Sequence, residues 1–235
     1  MRVHFFQHVA FEGPGYIATW MQEQGHVLSA THFFEPGYQL PDPATLDALV
    51  VMGGPMSVYD DAVYPWLQEE KAFIKTMIQA GKKVLGICLG SQLAALCLGA
   101  TVSRAPHQEI GWYPVFAATT AEEPAPGIYE LLRQGPHVFH WHGDQFAIPQ
   151  DAYELAFSAA NRNQGFMYRD QVMGLQFHAE PFAADLALML AHGGAELKVD
   201  TYVQDEQAIT AEVFRTGDNH QLMAGLLQHF FYGPL

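Results

Sequence analysis

The sequence predicts an α/β fold in which helices cover a mostly parallel sheet. Short apolar runs, typical of buried strands, alternate with segments of helical periodicity along most of the 235-residue chain. The chain is also 49% hydrophobic and only 15% charged, which indicates a substantial core and excludes intrinsic disorder. Because no linker rich in Ser, Gly and Pro separates the predicted elements, we expect one domain over residues 1–235.

The first half of the chain supplies the predicted parallel strands. They are residues 2–7, 27–33, 48–52 and 84–88. Between the last two, residues 65–80 carry apolar side chains at spacings of 3, 4 and 7, which form one helix face between Pro65 and the stop signal Gly81. Glu69 and Glu70 are expected on the polar face of this helix. A second helix is expected over residues 90–98.

The second half begins with short runs broken by Gly, Pro and Asn and ends in helices. The predicted strands are residues 110–116, 138–141, 153–157 and 172–177. From Pro181 onward the pattern is helical. A helix rich in apolar residues such as Leu186, Leu188, Met189 and Leu190 is expected to cover the core.

Charge and apolar run length exclude several classes of partner. The formal net charge is −14 and Lys82–Lys83 is the only adjacent basic pair, so a nucleic-acid surface or an anionic membrane is not expected as a partner. No run approaches the roughly 18 apolar residues that span a bilayer, and the first apolar run is too short for a signal peptide. Two cysteines cannot form a secreted disulfide framework. We expect a cytoplasmic protein with a free thiol.

The strongest chemical signal is Gly86-Ile87-Cys88-Leu89-Gly90, between a predicted strand and a predicted helix. This is the G-x-S-x-G nucleophile-elbow pattern with Cys in place of Ser. The flanking glycines remove Cβ atoms that would clash in so sharp a turn, and the helix N-terminus favours a thiolate. The alternative is a buried, inert cysteine, which we do expect for Cys97 between Leu96 and Leu98.

A nucleophilic cysteine needs a base that a third group orients. The apolar run over residues 172–177 ends in His178-Ala179-Glu180. In an extended chain residues i and i+2 point the same way, so the Glu180 carboxylate can fix the tautomer of His178. A structural role for this pair is the alternative, but together with the elbow it is the leading candidate for a base and its orienter.

These motifs together resemble the class I glutamine amidotransferases, Cys-His-Glu enzymes that also include stand-alone γ-glutamyl hydrolases and peptidases. The resemblance rests on Met52-Gly53-Gly54-Pro55, residues 86–92 and residues 174–180, in that order. The resemblance covers about residues 45–185, and within the family the chain is similar to a stand-alone GMP-synthase-like amidotransferase domain. It implies a flavodoxin-like mixed, mostly parallel sheet, a catalytic core over about residues 1–190 and C-terminal helices over about 181–235. Ala179 stands where the family commonly has Pro.

The resemblance also implies roles for individual residues. Cys88 is the implied nucleophile, His178 the base and Glu180 its orienter, while Gly54 and Leu89 supply an oxyanion hole and Gln92 helps to bind glutamine. A looser match places His142, Gly143 and Asp144 on a loop near the substrate. The implied substrate is a small γ-glutamyl compound that reacts through a thioester, with no cofactor required. A synthetase or other acceptor enzyme is a possible partner.

Three other interpretations stay open at this stage. Alternation in His140-Trp141-His142-Gly143-Asp144 would place His140, His142 and Asp144 on one face, where they could hold a zinc ion in a metal hydrolase. The same stretch could instead be a plain strand with Gly143–Asp144 as its turn. The protein could also be an inactive binding subunit, which the intact Cys88, His178 and Glu180 disfavour. Residues 107–112 could line the entrance to the pocket, but a plain loop-to-strand transition is favoured for them. Asp60–Asp61 is expected as a solvated turn.

Overall fold

A computed structural model describes residues 1–119 and 125–233 of the chain. Within these residues the ten strands are β1 Arg2–Gln7, β2 Val27–His32, β3 Ala48–Val51, β4 Lys83–Ile87, β5 Val102–Pro114, β6 Phe116–Ala117, β7 His137–Phe146, β8 Ala152–Phe157, β9 Gly165–Tyr168 and β10 Val172–Leu175. The seven α-helices are α1 Gly15–Glu23, α2 Trp66–Gln79, α3 Leu89–Cys97, α4 Pro126–Arg133, α5 Ala183–Gly193, α6 Glu206–Ala211 and α7 Thr216–Tyr232. No helix among the described residues is long and apolar enough to cross a membrane.

Eight strands form one mixed sheet in the order β2-β1-β3-β4-β10-β9-β8-β6. The five strands from β2 to β10 pair in parallel, and β9, β8 and β6 add an antiparallel edge. The strands β4 and β10 are parallel neighbours although Gly86 and its partner Gly174 are 88 positions apart in the chain. Their carboxyl ends therefore meet at one edge of the sheet. The predicted α/β class with a mostly parallel sheet is confirmed.

Helices cover both faces of this sheet, and each face has its own apolar core. One core joins the strands to α1, α4 and α7, with Ile17, Tyr129 and Leu226 fully buried. The other joins them to α2 and α3 through side chains such as Leu67 and Leu93. The C-terminal helix α7 therefore covers the core, as the sequence predicts for the helical tail, whereas Leu188 on α5 is exposed. Residues 234–235 of that predicted tail lie outside the described residues.

A second, two-stranded sheet lies beside the main one. Its strands β5 and β7 are antiparallel, with an irregularity between Arg104 and Glu109. Backbone hydrogen bonds between Phe139 and His178, of 2.8 and 3.1 Å, join β7 to the chain that leaves β10. The small sheet is thereby held against the edge of the main sheet where β4 and β10 end.

Several sequence-based expectations need correction. Residues 110–116 are split between β5 and β6, and residues 107–112 belong wholly to β5. Gly143–Asp144 is not a turn, because β7 continues to Phe146. Glu70 does not lie on a polar helix face: it is fully buried. The helices α1 and α4 and the strand β9 were not predicted, although Ile17, Trp20 and Met21 of α1 have helical spacing.

Candidate active site

Cys88 occupies the sharp turn between β4 and α3, as the elbow pattern predicts. Its backbone has φ 49° and ψ −109°, a conformation that non-glycine residues rarely adopt. A Cβ on Gly90 would overlap the carbonyl group of Val51, and one on Gly86 would overlap that of Gly90, so both glycines are required by close backbone approach. The turn therefore lifts the Cys88 side chain to the N-terminus of α3.

His178 and Glu180 lie together beside Cys88. The Nδ1 atom of His178 is 2.6 Å from Oε1 of Glu180, and the other carboxylate oxygen accepts the Ala179 N–H at 3.0 Å. Burial opposes a charged ring, but the Glu180 carboxylate and the Cys88 sulfur raise the pKa of His178 well above its ordinary value. The buried Nε2 atom has no hydrogen-bond partner among the described residues. The ring therefore has one nitrogen fixed and one available.

Gly53, in the loop after β3, lies close to His178 and Cys88. A Cβ there would lie 3.1 Å from Cε1 of His178 and 3.5 Å from Cβ of Cys88, and would overlap the Glu12 carboxylate. The loop can approach the two side chains so closely only because Gly53 has no side chain. The next residue, Gly54, lines the same cavity as Cys88 and Leu89.

Among the residues that the structure describes, two backbone amides near Cys88 have no hydrogen-bond acceptor. Within the described residues, neither the Gly54 N–H nor the Leu89 N–H has a hydrogen-bond acceptor. Leu89 is the first residue of α3, where the amide groups of any helix lack intrahelical acceptors. Both amides belong to residues that border the cavity, which is the arrangement that a developing oxyanion requires.

The cavity around Cys88 has a volume of about 650 Å³. Its walls come from the elbow, from β7 and from the chain after β10, including Met189 and His192 of α5. Glu12, Asp60 and Glu196 also border it. Burial and the carboxylate of Glu180 raise the pKa of Glu12, although His178 opposes this. A volume of this order suits a small polar ligand.

The predicted substrate segment His142, Gly143 and Asp144 borders this cavity as part of β7. The side-chain amide of Gln92 donates to the Asp144 carbonyl at 3.3 Å and to Oε1 of Gln176 at 3.1 Å. Gln92 therefore ties this segment to α3 while bordering the cavity itself. The Asp144 carboxylate lies 3.3 Å from the Arg104 guanidinium at the rim.

The predicted zinc set of His140, His142 and Asp144 is wrong in its third member. Among the described residues, the group whose possible ligand atoms all lie within 4.8 Å is Glu109, His140 and His142, here called the Glu109 cluster. All three are buried, whereas the Asp144 carboxylate pairs with Arg104 at the rim. Alternation along one strand could not reveal Glu109, because it comes from the neighbouring strand β5.

The Glu109 cluster is also the centre of a hydrogen-bond network. Oε2 of Glu109 accepts bonds from Ser158 at 3.0 Å, Asn161 at 3.1 Å and Gln164 at 2.7 Å. Against the effect of burial, the adjoining histidines and these donors lower the pKa of Glu109 to about 2. Burial lowers the pKa of His140 to about 4. The network anchors β7 behind the cavity. Local sequence offered little signal for it, because Glu109 directly follows the polar residues His107 and Gln108 on β5.

The remaining predicted positions are less involved in the site. Cys97 is half-buried, its thiol donates to the Lys71 carbonyl at 3.5 Å, and burial raises its pKa to about 12. Asp61 pairs with Lys71 at 2.8 Å rather than lying free in a turn. Asp60 accepts a bond from the Ser57 N–H at 2.8 Å and borders the cavity. Cys97 is therefore a poor candidate for a nucleophile.

Comparison with known proteins agrees with this geometry. The profile of the family described as "Glutamine amidotransferase class-I" matches residues 27–185. The glutamine amidotransferase-like protein YfeJ of Salmonella typhimurium is 34% identical over 200 residues, which cover 84% of this chain and 83% of that protein. The glutamine-hydrolysing GMP synthase of Thermomicrobium roseum is 33% identical over 132 residues, which cover 56% of this chain but only 23% of that enzyme.

Solved structures extend the likeness to nearly the whole chain. A glutamine amidotransferase from Methylobacillus flagellatus has a TM-score of 0.89 and 26% identity, covering 100% of this chain and 95% of its own. A glutamine amidotransferase from Thermotoga maritima has a TM-score of 0.82 and 30% identity, covering 98% and 97%. The chain belongs to the class I glutamine amidotransferase family.

Proposed function

We propose that this chain hydrolyses the γ-amide bond of glutamine or of another γ-glutamyl compound through a thioester on Cys88. The observation that carries the proposal is that Cys88, in its strained turn, lies beside His178, whose Nδ1 atom is 2.6 Å from Glu180. Such a constellation supplies a nucleophile, a proton carrier and an orienting carboxylate. The unpartnered amides of Gly54 and Leu89 supply the donors that an oxyanion needs.

The proposed reaction has two halves. The Cys88 thiolate attacks the γ-carbonyl carbon, and the negative charge moves to the oxygen beside the two amides. The carbon–nitrogen bond then breaks, and protonated His178 gives its proton to the departing ammonia or amine. In the second half neutral His178 takes a proton from water, the hydroxide attacks the thioester, and the thiolate leaves as the free γ-carboxylate forms. No cofactor takes part in either half.

Within this proposal we favour a hydrolase that acts without a partner. Met189, His192 and Glu196, all after Pro181, border the cavity, so the C-terminal part of this chain already supplies walls of the site. The second candidate is an ammonia-donating subunit. It is favoured by the similarity to GMP synthases, of whose length this chain matches about a quarter.

The deciding measurement is kcat/KM of the isolated chain on glutamine, glutathione and γ-glutamyl conjugates. A free-standing hydrolase should reach the usual enzyme range of about 10⁴–10⁸ M⁻¹s⁻¹ on one of these substrates. An ammonia donor should stay far below that range on all of them, because its site is completed only when a partner closes it. If Cys88→Ser hydrolyses the best substrate as fast as the unmodified chain does, both candidates fail.

A further inference from the structure

His8 forms a buried bridge behind the active-site loop. Its Nδ1–H donates to the carbonyl oxygen of Gly53 at 2.8 Å, and its Nε2 atom is 2.8 Å from Oε1 of Glu70. The side chains of His8 and Glu70 are both fully buried. The mechanism proposed above uses neither residue, and a carboxylate buried on α2 without contact to substrate calls for another explanation.

The accepting group of this bridge belongs to the peptide that joins Gly53 to Gly54. No peptide bond among the described residues is cis, so the Gly53 carbonyl and the Gly54 N–H point in opposite directions from one rigid plane. A hydrogen bond that fixes the carbonyl therefore fixes the N–H as well. That N–H is one of the two unpartnered amides at the cavity.

The ring of His8 is held in one orientation. It lies against Phe33, with centroids 5.8 Å apart and planes 3° apart, and against Trp66, at 5.4 Å and 16°, and these two rings are stacked on each other at 4.8 Å. Burial disfavours the charged ring, but Glu70, the Gly53 carbonyl and Glu12 together raise the pKa of His8. With both nitrogens protonated, His8 donates to Gly53 and to Glu70 at once.

We propose that His8 and Glu70 are positioning residues that orient and polarise the Gly53–Gly54 peptide, so that the Gly54 N–H stabilises the oxyanion. This inference rests on the proposed function and deepens it. A charged donor on a carbonyl draws electron density away from the amide nitrogen and makes its N–H a stronger donor, as in any hydrogen-bonded chain. Because the oxyanion exists only after attack, the effect should fall on kcat and not on KM.

The test compares His8→Phe and Glu70→Gln with the unmodified chain on its best γ-glutamyl substrate. Phe keeps an aromatic ring against Phe33 and Trp66 but cannot donate to Gly53. Since loss of one oxyanion donor typically costs about 10²–10³ in kcat, we expect a fall of about 10- to 100-fold for His8→Phe, where the donor remains but is no longer fixed. Glu70→Gln should lower kcat by a smaller factor, and KM should stay within about twofold in both.

Two controls separate positioning from general damage. His4, on β1, which ends one residue before His8, is also buried, but it bonds to Ser29 and Thr31 on β2; His4→Phe should leave kcat unchanged. Iodoacetamide alkylates the Cys88 thiolate without forming an oxyanion, so its rate should be the same in His8→Phe and the unmodified chain. Thermal unfolding of each variant reports whether it is folded, and if His8→Phe does not fold, Glu70→Gln decides by the same criteria.

Different results would contradict the inference about His8 and the proposed function. A folded His8→Phe with kcat within twofold of the unmodified chain overturns the inference. So does a parallel loss of kcat and alkylation rate, because the damage then lies at Cys88 or His178. An unmodified chain without activity on any γ-glutamyl substrate instead overturns the proposed function.

Discussion

Replacing Glu180 by Gln tests the part of the site in which charge and geometry act together. Two donors, the Nδ1–H of His178 at 2.6 Å and the Ala179 N–H at 3.0 Å, each bond to a different oxygen of Glu180. An amide has only one oxygen and can satisfy only one of them. The variant therefore loses at least one hydrogen bond to a charged group, worth about 1.5–3 kcal/mol.

That loss translates into a predicted rate. At 1.36 kcal/mol per factor of ten, kcat/KM should fall by about 10- to 150-fold. His178→Ala should be close to inactive, because it removes the group that carries the proton. Glu180 raises the pKa of His178, so its removal lowers that pKa. The alkaline limb of the pH profile of kcat/KM, which reports loss of the proton that the leaving group needs, should move to lower pH.

The assay is γ-glutamyl hydrolysis from about pH 5 to 10, with folding checked by circular dichroism. The matched control is Glu35→Gln, which removes a carboxylate 3.1 Å from the ring of His32 in an exposed pair and should change neither rate nor profile. The reasoning is refuted if Glu180→Gln remains folded and loses more activity than His178→Ala. An alkaline limb that stays in place would show that Glu180 does not set the pKa of His178.

Three further predictions concern the thiols, the elbow and metal. Cys88→Ser should abolish activity and Cys97→Ser should keep most of it, because burial raises the pKa of Cys97 to about 12; a glutamine-analogue alkylator that labels Cys97 first in peptide mapping would contradict this. Gly90→Ala should yield little folded protein, since its Cβ would overlap the Val51 carbonyl group; a thermal midpoint equal to that of the unmodified chain would disprove the steric argument. Chelators should leave turnover unchanged, whereas a stoichiometric metal ion at the Glu109 cluster whose removal stops turnover would restore the metal-hydrolase interpretation.

Local sequence pattern was sufficient for most of the sheet and for the centre of the site. Strand β1 lies where its apolar run predicts, and β2, β3 and β4 agree to within one residue at each end. For β3 and β4 the reason is that burial on both faces leaves a nearly continuous apolar run. The elbow was equally local: two glycines around Cys88 suffice to permit the turn. The nine-residue helix α1 was missed because so few turns give a weak period and no motif marks its start, whereas the equally short α3 directly follows the elbow.

The sequence by itself determined the α/β class, the elbow at Cys88 and the pairing of His178 with Glu180, since each depends on residues close together in the chain. Only the tertiary structure decided which buried charges meet. Glu70 has the helical position of a surface residue, yet it is buried against His8, 62 residues away. Glu109 likewise joins histidines from another strand. A carboxylate can be buried only where other groups supply donors or a positive charge. For Glu70 and Glu109 these groups come from distant segments, which no local period records.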